Sequence, residues 1–194
     1  LNFSIQNGDS LGIAGPTGAG KSTCIDILSG LLKPSNGEIY LNNELVKQPL
    51  YKIINIGYVP QNIFLFDGTI RDNLFFDEID KKKIDQTFVE KVFKALYLDE
   101  FLSLRNGLDT LLGENATNIS GGQKQRLGIA RAIMQKPDIL ILDEATNAIN
   151  EDLQIKILEN LQKMKITLCL IAHNAMLVEK CKNKILINKN FIKA

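Results

Sequence analysis

The stretch Gly15-Pro16-Thr17-Gly18-Ala19-Gly20-Lys21-Ser22 decides the fold of this 194-residue chain. It matches the pattern G-x-x-x-x-G-K-[ST], and it lies between an apolar strand predicted for residues 10–14 and an amphipathic helix predicted for residues 21–32. Its three glycines let the backbone bend so that successive N–H groups point inward, and the dipole of the following helix adds to the attraction for phosphate. This stretch, which we call the phosphate loop, predicts a nucleotide site in which Lys21 adds positive charge and Ser22 offers a hydroxyl to Mg²⁺.

The order of strands and helices around the phosphate loop predicts an α/β fold with a mostly parallel sheet. Further strands are predicted for residues 53–59, 139–142 and 166–172, with a helix over 151–164 between the last two. Residues 37–43 have the pattern of a strand and turn, which indicates an antiparallel β flap. Between residues 62 and 135 the strand pattern gives way to helical periodicity, which predicts an inserted all-helical lobe.

Composition limits the partners and the chemistry of the chain. Hydrophobic residues make up 45% and charged residues 23%, which suits one globular domain with an inserted lobe. The net charge is +1, so the sequence does not imply binding to nucleic acid. Cys24, Cys169 and Cys181 have apolar neighbours and no metal-ligand spacing, so we expect reduced core residues in a reducing compartment.

The two ends of the sequence, and the length of its apolar runs, also support predictions. No apolar run is long enough to span a bilayer, and no export signal is visible. Strand-like residues at 1–5 and 184–188 make both ends look like cuts through a larger polypeptide.

A second apolar strand ends in two acids, in the order Ile139-Leu140-Ile141-Leu142-Asp143-Glu144. Ligands of open α/β folds bind at the carboxyl edge of the sheet, where such a strand places its carboxylates. We therefore expect Asp143 to hold Mg²⁺ through water. Glu144 is expected to accept a proton from, or orient, the water that attacks the γ-phosphate.

The segment Ser120-Gly121-Gly122-Gln123-Lys124-Gln125-Arg126 has two compatible interpretations. Ser120 and Gln123 match a capping box that begins a helix running to Gln135. The two glycines behind the cap leave backbone N–H groups uncovered at the positive end of that helix, which suits a phosphate. An ordinary helix start does not need these glycines, so the pattern favours phosphate binding in addition to capping.

Together these motifs resemble those of the ABC ATPases, whose signature L-S-G-G-Q corresponds here to residues 119–123, which we call the signature segment. The resemblance covers essentially the whole chain and implies a P-loop NTPase (RecA-like) fold. It implies one ATPase domain truncated at both ends, with core and β flap at 1–61 and 136–194 and the helical lobe at 62–135. The ATP-binding residues that it implies are Gly15, Pro16, Thr17, Gly18, Ala19, Gly20, Lys21, Ser22 and Thr23.

In the family, the phosphate loop of one subunit and the signature of the other close on the same ATP. The resemblance therefore implies that Ser120, Gly121, Gly122 and Gln123 act in trans on a partner's nucleotide. Gln61, which follows a predicted strand, resembles the glutamine that meets Mg²⁺ and couples to the transmembrane partner. His173 resembles the histidine that reaches the γ-phosphate. Without the family order, a glutamine in a loop and a histidine at a strand end would both be ordinary structural residues.

Residues 60–74 and 112–115 resemble segments that contact the coupling helices of exporters. The resemblance thus implies Mg-ATP hydrolysis that powers export or flipping of a substrate, on the cytoplasmic face of the inner membrane. The implied partners are a transmembrane domain of the same polypeptide and a second nucleotide-binding domain, in a homodimer.

The sequence departs from the family pattern in two places that bear on the site. Asn150 stands where the family carries the aspartate of its D-loop, here residues 145–150, although asparagine keeps one acceptor. The aromatic residue that stacks on adenine lies upstream of Leu1 in the family, so we interpret Tyr40, Tyr51 and Tyr58 as flap or core residues.

Two other functions compete with an exporter ATPase. A soluble ABC ATPase acting on DNA or ribosomes would carry long coiled-coil insertions or tandem cassettes, and this sequence shows neither. A degenerate half-site that holds ATP without hydrolysing it is suggested by Asn150. The presence of Glu144, His173 and the signature segment opposes that reading.

Overall fold

Five parallel strands form the main sheet, in the order β4-β5-β6-β1-β7. The computed structural model describes residues 1–75, 84–104, 106–113 and 116–187. The strands of this sheet are β1 (Ser10–Ala14), β4 (Ile56–Val59), β5 (Ile139–Asp143), β6 (Leu168–Ile171) and β7 (Asn183–Leu186). A separate antiparallel pair joins β2 (Tyr40–Leu41) to β3 (Glu44–Leu45). The predicted mostly parallel sheet and antiparallel flap are therefore confirmed.

The central strands are apolar because helices cover both faces of the sheet. All four residues of β6 are buried, and so are the first four of β1. One apolar cluster, which contains Leu11, Ile13 and Ile141, lies on the face that packs against α1. A larger cluster on the other face includes Val59, Leu140 and Leu170. Burial on both faces makes β1 and β6 rigid supports for the loops at their carboxyl ends.

Helices follow β1, β4, β5 and β6 of the main sheet. Their bounds are α1 (Lys21–Ser29), α2 (Ile70–Leu74), α3 (Gln86–Ala95), α4 (Asp99–Leu102), α5 (Gly121–Met134), α6 (Glu151–Lys163) and α7 (Ala175–Glu179). Short 3₁₀ turns occur at Leu50–Lys52 and Gly107–Asp109. Between β4 and β5 the regular secondary structure of the described residues is helical, apart from one isolated bridge, Thr69 to Leu111. None of the helices in the described ranges has the length and apolar character that a membrane crossing requires.

Several predicted elements or boundaries were wrong, including those of β6, which spans Leu168–Ile171 rather than residues 166–172. Residues 1–5 are irregular rather than a strand, because no strand among the described residues supplies their backbone with hydrogen-bond partners. Helix α1 ends at Ser29 instead of Leu32, since Gly30 takes the left-handed conformation with φ of 81°. Leu31, which the predicted helix included, lies beyond its end and is 68% exposed. Strand β4 begins at Ile56 because the chain before it forms a 3₁₀ turn.

Some predictions fall partly on residues that the structure does not describe. Glu114 and Asn115, in one of the two exporter-like segments, lie outside the described residues, as does Asn188 at the end of the last predicted strand.

The three cysteines are unpaired and buried, as predicted. Burial raises the pKa of the Cys169 thiol, and it raises the pKa of Cys181 to about 11. All three thiols therefore pack as small apolar side chains.

Candidate functional site

The phosphate loop connects the carboxyl end of β1 to the start of α1. A Cβ atom at Gly15 would overlap the carbonyl oxygen of Ile187, so only glycine allows the loop to leave the sheet beside β7. Gly18 has φ of +76° and no atom within 4 Å of where its Cβ would stand. No side chain caps the start of α1, whose N-cap is Gly20. The first N–H groups of this helix are therefore available to an anionic ligand.

Lys21 is buried at the base of this loop, with 6% of its surface exposed. Its Nζ donates to the carbonyl oxygens of Gly15, at 3.0 Å, and Pro16, at 3.3 Å. Within the described ranges no carboxylate lies within ion-pair distance of this ammonium group. A buried ammonium without a counter-charge suits an anionic ligand, which would supply one. Ser22 and Thr23 are exposed on the first turn of α1.

Asp143 ends β5, next to the end of β4. Its Oδ2 accepts a hydrogen bond from the Tyr58 hydroxyl at 2.9 Å. Burial, the hydrogen bond to Asp143 and the negative charges of Asp143 and Asp26 raise the pKa of Tyr58 to about 12. Tyr58 is therefore a neutral donor at physiological pH.

This contact corrects the interpretation of Tyr58 as a flap or core residue, since it is 47% exposed and lies at the site. Sequence reasoning missed it because strand β4 has no motif that distinguishes one exposed tyrosine from another. Tyr40 lies on β2 of the flap, as predicted, and Tyr51 is exposed in a 3₁₀ turn rather than in the core.

Glu144 and His173 come together from the ends of neighbouring strands, β5 and β6. His173 Nε2 lies 2.8 Å from Glu144 Oε1, with 50% of the histidine side chain exposed and 15% of the glutamate side chain exposed. The backbone of Glu144 has φ of +53°, which is uncommon outside glycine. Its N–H donates to the carbonyl of Ile171 at 3.1 Å, which holds the turn. The pair places a carboxylate and an imidazole where they can orient a water molecule and exchange a proton with it.

Gln61 is exposed in the loop that follows β4, at the same edge of the sheet as these acids. No hydrogen bond between described residues joins its side chain to Asp143, Glu144 or His173. The structure therefore places Gln61 near the site by topology rather than by direct contact.

The signature segment leads into α5. Ser120 is the N-cap, and its side chain accepts from the Gln123 N–H at 3.2 Å. Gln123 Oε1 in return accepts from the Ser120 N–H at 2.7 Å, while its Nε2 donates to Glu100 at 2.7 Å. The predicted capping box is confirmed, and Gly121 behind it is exposed. No hydrogen bond between described residues joins this segment to the phosphate loop of the same chain.

The D-loop is held by two glutamines that the sequence analysis did not single out. Gln154 Nε2 donates to the carbonyls of Thr146 and Ile149, both at 2.8 Å. Gln125 Oε1 accepts from the Ala148 N–H at 2.8 Å, which ties the D-loop to the signature helix. Asn150 caps α6 by accepting from Leu153 N–H at 2.9 Å, so this asparagine uses the acceptor that it shares with aspartate. Gln125 and Ala148 are 23 residues apart, so no local sequence pattern identifies that contact, whereas Gln154 bonds to residues five and eight positions earlier in the chain.

Comparison with known proteins places this site in a family. A family model described as "ABC transporter" matches residues 1–147, which include the phosphate loop, the signature segment and the two acids after β5. His173 lies beyond the matched residues.

Individual relatives match over nearly the whole chain. The ATP-dependent lipid A-core flippase of Wigglesworthia glossinidia brevipalpis is 37% identical over 200 residues, covering 99% of this chain and 34% of the flippase. The probable multidrug resistance ABC transporter ATP-binding/permease protein YheI of Bacillus subtilis is 36% identical over 186 residues, covering 92% of this chain and 31% of that protein. The chain thus spans about a third of the length of these relatives.

A solved structure agrees with the sequence comparisons. The structure of a bacterial Atm1-family ABC exporter with ATP bound matches with a TM-score of 0.78 and 29% identity, covering 97% of this chain and 34% of that one. The family model, the relatives and the fold all agree, so this chain belongs to the ABC transporter family as one of its nucleotide-binding ATPase domains.

Proposed function

We propose that this chain binds and hydrolyses Mg-ATP and that hydrolysis powers export or flipping of a substrate across a membrane. The observation that carries the proposal is the convergence at one sheet edge of the phosphate loop, Asp143 and the Glu144–His173 pair. The relatives include a lipid A-core flippase and an ATP-binding/permease protein, which supports a transport role.

Residues 15–23 would hold the phosphates through backbone N–H groups, and the Lys21 ammonium would add its charge. Ser22, Asp143 and Gln61 are the proposed oxygen ligands of Mg²⁺, directly or through water. The described residues contain no group of three or more His, Cys, Asp or Glu side chains that could hold a metal ion by themselves. This donor set fits Mg²⁺, which is commonly bound by one or two protein ligands together with substrate phosphates. When bound, Mg²⁺ would neutralise charge on the phosphate oxygens.

Glu144 and His173 are the proposed catalytic residues, with Gln61 beside them. The Glu144 carboxylate would orient the attacking water and take its proton, while the exposed His173 imidazole would reach the γ-phosphate. Their 2.8 Å contact supports these roles, because it brings the carboxylate and the imidazole together at one place at the sheet edge.

The signature segment is proposed to complete a partner's site in trans. The exposed Gly121, the uncovered N–H groups at the start of α5, and the lack of hydrogen bonds to the chain's own phosphate loop among described residues support this. We propose a homodimer of domains, each with a core at 1–61 and 136–194 and a helical lobe at 62–135. The partner would be a transmembrane domain of the same polypeptide, with the ATPase on the cytoplasmic face of the membrane.

Complementation between two inactive variants tests this proposal. Lys21→Ala disables the phosphate loop. Gly121→Glu keeps the start of α5, because an acid is favourable in the first turn, but puts negative charge where the partner's phosphate would lie. In a mixed dimer of the intact protein both defects fall in one site, and the other site is intact. When the two variants are co-expressed in equal amounts, half of the dimers are mixed, and each mixed dimer has one working site of two. We therefore expect roughly a quarter of wild-type ATPase activity.

Each variant expressed alone provides the control and should be inactive. A mixture as inactive as its components would contradict the trans arrangement of the homodimer. Full activity of either variant alone would contradict the role given to the altered residue.

A further inference from the structure

The side chain of Asp143 has one hydrogen-bond donor within the parts of the chain that the structure describes, and that donor is Tyr58. The hydroxyl of Tyr58 lies 2.9 Å from Oδ2 of the carboxylate, and Oδ1 has no protein donor in the same ranges. The two oxygens of this carboxylate are therefore in different environments, one occupied by a protein donor and the other available to a ligand.

Strand register explains how the tyrosine reaches the acid. In the parallel pair β4–β5, Tyr58 lies opposite Ile141, two residues before Asp143. Side chains two residues apart on a strand share a face, so Tyr58, Ile141 and Asp143 face the same side of the sheet. Ile141 packs in the cluster with Ile25 and Cys24 of α1, so this is the side on which α1 and Ser22 lie. The tyrosine ring therefore reaches the Asp143 carboxylate on the side of the sheet that α1 covers.

We propose that Tyr58 is a positioning residue that fixes the Asp143 carboxylate for Mg²⁺. The hydroxyl holds Oδ2 and thereby leaves Oδ1 directed at the metal position beside Ser22. This inference rests on the proposed function, because it assumes that Asp143 serves the metal. It adds to the site a residue that belongs neither to the phosphate loop nor to the signature segment, and that is not one of the acids at the end of β5.

The physical basis is preorganisation. An aspartate at a strand end can rotate its carboxylate, and ordering that group on binding lowers the affinity for the metal. A hydrogen bond made before binding removes part of this entropic loss. Partners of this kind typically change metal affinity or activity by about 10- to 100-fold when they are removed.

The test is the affinity of Mn²⁺, in place of Mg²⁺, for the intact protein bound to a non-hydrolysable ATP analogue. Free and bound Mn²⁺ are distinguished by electron paramagnetic resonance, which does not depend on turnover. Tyr58→Phe keeps the ring and removes the hydroxyl, and we expect the Mn²⁺ affinity to fall by about 10-fold. We expect binding of the analogue without metal to be unchanged. The ATPase deficit of the variant should also narrow as the Mg²⁺ concentration is raised, which a merely structural defect would not do.

Tyr40→Phe is a matched control, because the Tyr40 hydroxyl donates to the Glu38 carboxylate at 2.7 Å on the exposed flap. It removes the same kind of hydrogen bond away from the site and should leave Mn²⁺ affinity at the wild-type value. Tyr58→Leu, which also lacks the hydroxyl, serves if thermal unfolding shows that Tyr58→Phe is not folded.

The outcomes distinguish an error in the role of Tyr58 from an error in the proposed function. If Asp143→Asn loses Mn²⁺ while Tyr58→Phe binds it as tightly as wild type, the role of Tyr58 is wrong and the metal site stands. If the wild-type protein with the analogue binds no Mn²⁺, or Asp143→Asn binds it normally, the proposed metal site itself is wrong.

Discussion

At the scale of single residues, Glu144 combines three features that separate it from an ordinary surface acid. Its side chain is mostly buried, it contacts His173, and its backbone lies in the left-handed region. Backbone strain of this kind persists where the surrounding structure holds it, and it is concentrated at functional sites. Here the Ile171 carbonyl and the end of β5 hold the turn, so the carboxylate is directed at the edge of the sheet rather than into the core.

Glu144→Gln should keep ATP binding and lower turnover by roughly 10²–10⁴-fold, the usual contribution of a positioned acid or base. The amide keeps the shape of the side chain but cannot accept the proton of the attacking water. Steady-state ATPase assays, together with equilibrium binding of a fluorescent ATP analogue, measure the two effects separately. Glu90→Gln, an exposed change on α3, is the control, and unaltered turnover in Glu144→Gln would exclude this glutamate as the base.

At the scale of elements, two helices of this chain begin with the same capping box. Thr69 and Asp72 cap α2, while Ser120 and Gln123 cap α5. Both boxes satisfy backbone N–H groups that the helix itself leaves unpaired. Only α5 follows its cap with two glycines, and a Cβ at Gly122 would stand 3.1 Å from the Ala148 carbonyl oxygen of the D-loop. The two glycines therefore allow the D-loop to approach α5 closely, and they also leave the start of that helix exposed.

Comparing these two helices distinguishes the effect of losing a cap from the effect of losing a ligand contact. Thr69→Ala and Ser120→Ala should each lower the free energy of unfolding by about 1 kcal/mol, because each removes an N-cap acceptor. Only Ser120→Ala should also lower ATPase activity. Urea unfolding and ATPase assays on both variants test this, and an equal loss of activity in the two would mean that Ser120 acts only as a cap.

At the scale of the whole molecule, the site is assembled from segments far apart in sequence. The phosphate loop follows β1, the acids follow β5 and His173 follows β6, and these three strands are adjacent in the sheet. A ligand that contacts all three loops binds the folded state and not the unfolded chain. Ligand binding should therefore stabilise the entire fold.

Saturation with a non-hydrolysable Mg-ATP analogue at 100 times its Kd should raise the free energy of unfolding by about 2.7 kcal/mol. Lys21→Ala should weaken nucleotide binding by about 2–5 kcal/mol, since it removes a buried charge contact, and should abolish most of this gain at the same analogue concentration. Denaturant titrations with and without the analogue measure both quantities. Lys33→Ala, at an exposed lysine beyond α1, should keep the full gain. Equal stabilisation of Lys21→Ala and wild type would show that Lys21 is not a phosphate ligand.

The sequence by itself determined the features that depend on local backbone conformation and on the period of apolar residues. The strand, loop and helix around Gly15 to Lys21, the apolar strand before Asp143 and the cap at Ser120 all follow from such local patterns. Apart from the end of α1, they were correct because turns, caps and buried strands require particular residues within a few positions of one another. The placement of the two acids at a sheet edge was also predictable from the sequence, because they end and directly follow a buried strand.

The tertiary structure decided what depends on strand order and register. The contacts between Tyr58 and Asp143, between Gln125 and Ala148, and between Glu144 and His173 join residues from different elements. It also decided that residues 1–5 are not a strand, although their composition suits one. A strand needs a neighbour that accepts its hydrogen bonds, and a hydroxyl finds its acceptor only after the sheet has set both in register. Those partners lie far away in sequence, so a local pattern carries no information about them.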